Sequence, residues 1–283
     1  MRKNFNPIIP TDDDGLVIHE AHIWTEEKYK LVGGYNDIFT RGMRKKWKKL
    51  VYVDLFAGPG YCRIIETGRI LKSSPMIALS LPLPFDFYIF CDENEKFIDA
   101  LKRRVDRDHS DKAVHFYVGD CNNGIEDIKK MVPVHKSGET VLTFCFIDPY
   151  ELNFHFETIK RLTENKLVDV LILQAYFMDL NRNYTNYLND DNQKISLYLD
   201  DEKWREKFKK SAHYPKNFVR FIAESYDEKM RGLNYLNPIR NSIKIPDKNV
   251  RLYYLSFYSK HERGQDFYKK VQEYSDEQLT MRL

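Results

Sequence analysis

Leu50-Val-Tyr-Val-Asp-Leu-Phe-Ala-Gly-Pro-Gly60 decides the fold class. Its first six residues are apolar and β-prone apart from one aspartate, the composition of a short strand covered on both faces. Two glycines flanking Pro59 then make a sharp turn that lets a ligand approach the backbone. Four further runs of the same kind follow, at residues 86–91, Val114–Val118, Val141–Ile147 and 168–173. Helix-length segments separate them. Ser74-Pro75 reads as an N-cap with proline at the first helical position, and Phe97, Leu101 and Val105 repeat at helical spacing. Five such β/α units predict an α/β chain with a doubly wound, mostly parallel sheet.

Outside that rhythm, residues 1–49 read as an N-terminal arm with helices near 24–31 and 38–47. Residues 176–240 are polar and tyrosine-rich, and read as a helical insertion or cap with helices near 201–210 and 215–232. Residues 241–245 and 250–257, joined by Pro246-Asp-Lys-Asn249, predict an antiparallel hairpin, followed by a terminal helix. The expected organisation is therefore a core of 50–175 and 241–283, preceded by the arm 1–49 and interrupted by 176–240.

Composition narrows the function. Lys and Arg number 45 against 42 Asp and Glu over 283 residues, a net charge of +3 that excludes a dense nucleic-acid coat but allows a local basic surface. No apolar run approaches the roughly 18 residues of a membrane helix, and the first residues resemble no signal peptide. The expectation is a cytoplasmic protein that does not enter membranes. Cys62, Cys91, Cys121 and Cys145 have neither disulfide nor metal-ligand spacing, so reduced, buried thiols and no metal are expected. His19 and His22 lack a third ligand and read as inert.

Open sheets bind ligands beyond the carboxyl ends of their strands. The residues there are Asp54 with Phe56, Ala57, Gly58, Pro59 and Gly60; Asp92 and Glu93; Asp120 and Cys121; and Asp148, Pro149 and Tyr150. Taken singly, each acid could be a turn former or a helix cap. Taken together, they put carboxylates at four successive strand ends. A dinucleotide site would carry GxGxxG with an acid about 20 residues on. Here Arg63 holds the third glycine position, and Asp92 lies 38 residues beyond Asp54. A triphosphate loop would place Lys-Ser/Thr after the last glycine, and Tyr61-Cys62 stands there instead. An acidic rim suits a cation without phosphate. S-adenosylmethionine (SAM), with its amino and sulfonium groups and its ribose diol, is the expected cofactor.

The stretches Tyr52-Val-Asp-Leu-Phe-Ala-Gly-Pro-Gly60, Ser74-Pro-Met-Ile-Ala-Leu79, Gly119-Asp-Cys-Asn122, Phe146-Ile-Asp-Pro-Tyr150 and Ser259-Lys-His-Glu-Arg-Gly-Gln-Asp-Phe267 carry a resemblance. The chain resembles the class I SAM-dependent methyltransferases, with their Rossmann-like core, and more narrowly the three-Cys-motif partner proteins, a bacterial and phage family. That family's name refers to cysteines of a radical-SAM-like partner. The resemblance implies that Asp54 and residues 56–60 hold the methionine part of SAM, Asp92 or Glu93 the ribose, and Asp120 with Cys121 the adenine side. Asp148-Pro149-Tyr150 is similar to the acid-Pro-Pro-aromatic motif of amino methyltransferases, where the acid and a proline carbonyl receive the target amine and the ring stacks on a flipped base. The second proline is missing here.

Two basic-aromatic segments, Arg41 to Lys49 around Trp47 and Lys203 to Lys210 around Trp204, suggest a nucleic-acid acceptor; a solvated helix face is the plainer reading of each. The leading expectation is methyl transfer to an amino group of a nucleic-acid base. The alternatives are a SAM-binding, non-catalytic partner of a radical-SAM-like protein, and a methyltransferase for small molecules or proteins.

Overall fold

A computed structural model describes residues 5–245, 248 and 250–280, with side chains through residue 273. In chain order the elements are β1 (His19–Ala21), α1 (Thr25–Met43), β2 (Lys49–Asp54), β3 (Tyr61–Ile64), β4 (Ile70–Lys72), α2 (Ser74–Leu79), β5 (Phe87–Asp92), α3 (Glu95–Asp108), β6 (Val114–Val118), α4 (Cys121–Met131), β7 (Val141–Ile147), α5 (Phe156–Thr163) and β8 (Val168–Gln174). A π-helical turn (Tyr176–Leu180), α6 (Tyr184–Tyr187), α7 (Lys194–Leu199), α8 (Trp204–Lys210), α9 (Phe218–Gly232), β9 (Ile239–Lys244), β10 (Arg251–Tyr258) and α10 (Glu262–Thr280) complete the chain.

Seven strands form one sheet in the order β6-β5-β2-β7-β8-β10-β9. The five from β6 to β8 are parallel; β10 runs antiparallel to β8 and pairs antiparallel with β9. β7 and β8 are buried along their whole length, the polar Thr143, Asp169 and Gln174 included, whereas the edge strand β6 is only partly covered. The sheet is the expected Rossmann-like, doubly wound one. Helices α1, α2, α3 and α10 supply one covering layer, through Leu31, Val32, Tyr35, Phe39, Met76, Leu101, Val105 and Tyr268. On the other face α4 and α5 are joined by the helices of residues 184–232, whose Tyr198, Trp204, Phe208 and Tyr226 merge into the same core as Val53, Cys145 and Ile172. The antiparallel hairpin forms as expected; most of its turn, at 246–249, lies outside the described residues.

Several sequence expectations need correction. Residues 25–43 form one helix and not two. Gly33 and Gly34, which fall between the two expected helices, serve packing. A Cβ on Gly33 would fall 2.3 Å from Pro7 Cβ, and one on Gly42 would fall 2.3 Å from Phe267 Cζ. Helix propensity favours alanine over glycine by about 1 kcal/mol. We nevertheless expect Gly42→Ala to destabilise the fold by about 1–3 kcal/mol, because the α1–α10 interface has no room for a methyl group. Urea unfolding checks this, and a stabilised variant would refute it. In α3 the inward residues are Ile98, Ala100, Leu101, Arg104 and Val105, while Phe97 is only half-buried. The residue at the α2 N-cap is Ser73, which leaves Ser74 inside the first turn.

The glycine turn does not enter a helix. It runs into β3, which pairs parallel with β1 and antiparallel with β4 in a three-stranded sheet of order β1-β3-β4. The N-terminal segment is thereby pinned beside the turn. Arg104, fully buried, donates to the Asp14 carboxylate at 2.6 and 2.9 Å, to the Val17 carbonyl at 2.9 Å and to the Pro59 carbonyl at 2.6 Å, and its guanidinium lies 4.0 Å from the Tyr61 ring centroid.

Candidate functional site

The strand order turns back between β2 and β7, and such a switch point opens a crevice at the carboxyl ends of the strands. Asp54 ends β2 and Asp148 follows β7. Between them and β5 the turn is stitched down. Leu55 N–H donates to the Phe146 carbonyl at 3.2 Å and Ala57 N–H to the Cys91 carbonyl at 2.8 Å. Gly58 N–H donates to one Asp92 oxygen at 2.8 Å, and Asn94 N–H donates to the other at 2.9 Å. Gly58 (φ +62°) and Gly60 (φ +93°) adopt backbone that other residues take only with strain. Their surroundings differ. A Cβ on Gly60 would strike Leu101 at 2.9 Å, whereas one on Gly58 would meet only His19 Nδ1, at 3.8 Å. A side-chain carbon would therefore meet only an ordinary contact at Gly58, whereas Gly60 has no room for one.

Asp54 is fully buried, and its donors are neutral: the Ser74 hydroxyl, the Tyr52 hydroxyl at 3.2 Å and Phe56 N–H at 3.3 Å. Burial pushes its carboxyl up to about 7. The nearby Asp148 charge adds to the rise, and the three donors oppose it. Burial also raises Asp92 above the ordinary carboxylate value, against the pull of its two backbone donors. Asp148 is engaged in an ion pair with Lys28 of α1, Nζ to Oδ2 at 2.5 Å, and both side chains are largely shielded. His19 stands beside this pair. Burial lowers its pKa to about 4, with the Lys28 charge lowering it further and Asp148 partly offsetting this, so the imidazole is neutral at pH 7. Its Nδ1 is buried and has no hydrogen-bond partner.

The other expected residues are distributed around this centre. Asp120 stands beyond β6, the strand paired with β5, and caps α4. Its carboxylate accepts from Asn122 N–H at 2.9 Å, Asn122 Nδ2 at 3.0 Å and Asn123 Nδ2 at 2.8 Å. Cys121 is buried at the first position of that helix, and burial pushes its thiol up. Glu93 is exposed. Phe56 packs edge-to-face on Phe154, and Ala57 and Pro59 are buried. Pro149 is buried, but Tyr150 is 95% exposed and makes no ring contact among the described residues. Asp54, Gly58, Asp92 and Asp148 thus gather at the switch point, Asp120 stands two strands from β2, and Tyr150 faces solvent.

Sequence reasoning missed His19, Lys28 and Ser74. Ser74 had a signal, since with Pro75 it marks the start of a helix. Lys28 had none, because it reaches Asp148 across 120 residues of chain. His19, dismissed together with His22, separates from it: His22 bonds the exposed Glu66 at 2.9 Å. All four cysteines are buried and free.

The basic-aromatic segments also need correction. Trp204 is fully buried and cannot stack on a base from solution. Arg205 lies 4.6 Å over its ring and donates to the carbonyls of Tyr187, Asn189 and Asn192, while Lys207 pairs with Asp201. This segment holds the insertion together. Around Trp47, itself half-buried, Arg41 pairs with Asp37 and Arg44 with Asp86, which leaves Lys45, Lys46 and Lys48 as the exposed cations.

Among solved structures the chain is similar to a protein from Legionella pneumophila (13% identity, covering 81% of this chain and 85% of that one, TM-score 0.45). It is also similar to an O-methyltransferase from Bacillus cereus in complex with S-adenosylhomocysteine (11% identity, 87% and 85%, TM-score 0.43). No family model and no curated protein matches the sequence.

Proposed function

We propose that the chain is a SAM-dependent methyltransferase. The observation that carries the reading is the pair of unmatched polar groups beside the glycine turn: the Asp54 carboxyl, buried without a counter-cation, and the unpartnered Nδ1 of a neutral His19, 3.8 Å from where a Gly58 Cβ would stand. A buried acceptor set of this kind is costly to leave unmatched, and it fits a ligand that brings positive charge and N–H donors. It does not fit a pyrophosphate, since Lys28, the cation beside it, is already neutralised by Asp148. Asp54 and the turn from Phe56 to Gly60 would hold the amino-acid end of SAM. Each Asp92 oxygen accepts one backbone N–H and keeps a lone pair for a ribose hydroxyl, and Asp120 with Cys121 would border the base. When bound, the cofactor supplies a methyl group activated by its sulfonium. The protein's part is to position the acceptor and exclude water.

For the acceptor we propose an amino group, with Asp148 as the group that receives its N–H and orients its lone pair. The Oδ1 of Asp148, which accepts no hydrogen bond among the described residues, supports this role, as does its position one strand from Asp54. Placing that amine on a nucleic-acid base rests on the resemblance of Asp148-Pro149-Tyr150 to the base-amine motif, with the exposed Tyr150 ring available to stack. Incubation with tritiated SAM and separate DNA, RNA and cell-lysate pools tests the whole reading. Label is expected in a nucleic-acid pool; label in protein or small molecules alone would overturn the base, and none in any pool would overturn the transferase.

One observation favours a second reading. The Lys28–Asp148 ion pair occupies the acid that an acceptor would need, as expected of a SAM-binding, non-catalytic partner of a radical-SAM-like protein. Tight SAM binding with no label transferred to any pool would select it.

A further inference from the structure

A second concavity lies on the same carboxyl edge of the sheet, where the π-helical turn after β8, the start of α9 and the start of β10 meet. It encloses about 680 Å³. Two chemical classes dominate its walls. Phe177, Tyr184, Phe218 and Tyr254 give aromatic surface, with Phe177 edge-on to Tyr254 at 5.0 Å and Tyr184 edge-on to Phe218 at 5.1 Å. Lys216, Arg220, Arg240 and Arg251 give positive charge.

The cations are not equally committed. Arg240 is bound to Asp227 and Arg220 to Glu224, the one carboxylate on the lining, which also takes His213. Lys216 and Arg251 are exposed and, among the described residues, pair with no carboxylate. The Arg251 guanidinium instead lies 5.9 Å from the Phe177 ring centroid, so a cation and a flat apolar face are presented side by side. An anion with an attached flat ring satisfies both. Phosphate alone would leave the rings bare, and a neutral aromatic would leave the two guanidinium- and ammonium-bearing walls unmatched.

We propose that this cavity binds a nucleotide, its base against the rings of Phe177, Tyr184 and Tyr254 and its phosphate at Arg251 and Lys216. Its volume lies within the range of roughly 300–1,000 Å³ usual for small-ligand pockets. None of these residues borders the glycine turn, so the proposal stands or falls apart from the methyl-transfer reading.

Calorimetric titration of the whole chain with AMP, adenosine and inorganic phosphate at low salt tests it. AMP should bind at least about tenfold more tightly than either fragment, and Arg251→Glu and Lys216→Glu should each weaken AMP at least about fivefold, with unchanged melting temperatures. Phosphate binding as tightly as AMP, or no binding of AMP, would overturn the proposal. So would AMP binding that survives Arg251→Glu but is lost in Asp92→Ala, since that ligand would sit at the glycine turn. A mixed-sequence single-stranded nonamer distinguishes the sources, and both of its outcomes support the site. Arg251-dependent binding tighter than that of AMP assigns the nucleotide to a strand; binding no tighter than AMP assigns it to a free nucleotide.

Discussion

Asp54→Asn should weaken SAM binding by tenfold to about a hundredfold and, in the same protein without ligand, raise the melting temperature at pH 8. The first effect is the loss of one charge-assisted contact, worth about 1.5–3 kcal/mol. The second follows from linkage. Burial holds the Asp54 carboxyl near 7, above its ordinary value of 3.8. Between those two pH values the folded chain binds more protons than the unfolded one, so this group's contribution to stability falls as pH rises through the window. Asparagine removes that penalty. The same titration governs affinity: a cationic ligand favours the ionised carboxylate, so binding should fall about tenfold per pH unit below 7 and level off above it. Calorimetry from pH 5.5 to 8.5 reads this slope. Affinity independent of pH in the wild type, or unaltered in Asp54→Asn, would remove Asp54 from the site.

Asp148→Asn should leave SAM affinity within about threefold while lowering methyl transfer at least about a hundredfold, the loss falling on kcat. Asparagine keeps an acceptor oxygen but cannot hold negative charge against the acceptor amine. It also leaves Lys28 without its ion-pair partner beside His19, and breaking a shielded pair is destabilising. Lys28→Met combined with Asp148→Asn separates the two effects. Stability should recover in the double variant and transfer should not. Recovery of both would make the pair a structural strut and remove Asp148 from the transfer step. Wild-type transfer by Asp148→Asn alone would do the same.

Much of this site lay in plain view along the chain. Strands β6 and β7 match their sequence boundaries to the residue, β8 differs by one at one end, and β2 and β5 are displaced by one at both ends, because each is written as a nearly continuous apolar run. Asp54, Asp92, Asp120 and Asp148 were recognisable for a related reason: a parallel sheet puts the residue after each strand at one edge, so strand ends alone identify them. Gly58 and Gly60 were legible through their turn.

Local pattern could not extend further. Helix α1 runs through Gly33 and Gly34 because Pro7 and Val271 occupy the space their side chains would need, which is a fact about distant neighbours. Trp204 and Lys207 share a basic, aromatic string that suggests a nucleic-acid grip beside the plainer reading of a solvated helix face, and burial of the ring in the core beside Phe218 removes its use for stacking. Lys28 and His19 reach the crevice only because α1 and β1 fold back beside β2 and β3, and Arg251 meets Phe177 only because β10 inserts antiparallel beside β8. By itself the sequence determined the five parallel strands and the hairpin, the doubly wound class and the acids at the strand ends, since these depend on residues close in the chain, but not the small sheet of β1, β3 and β4. Only the tertiary structure decided which charges are neutralised, which rings are open and which polar atoms lack a partner, since each of those depends on contacts that the order of strands in the sheet creates.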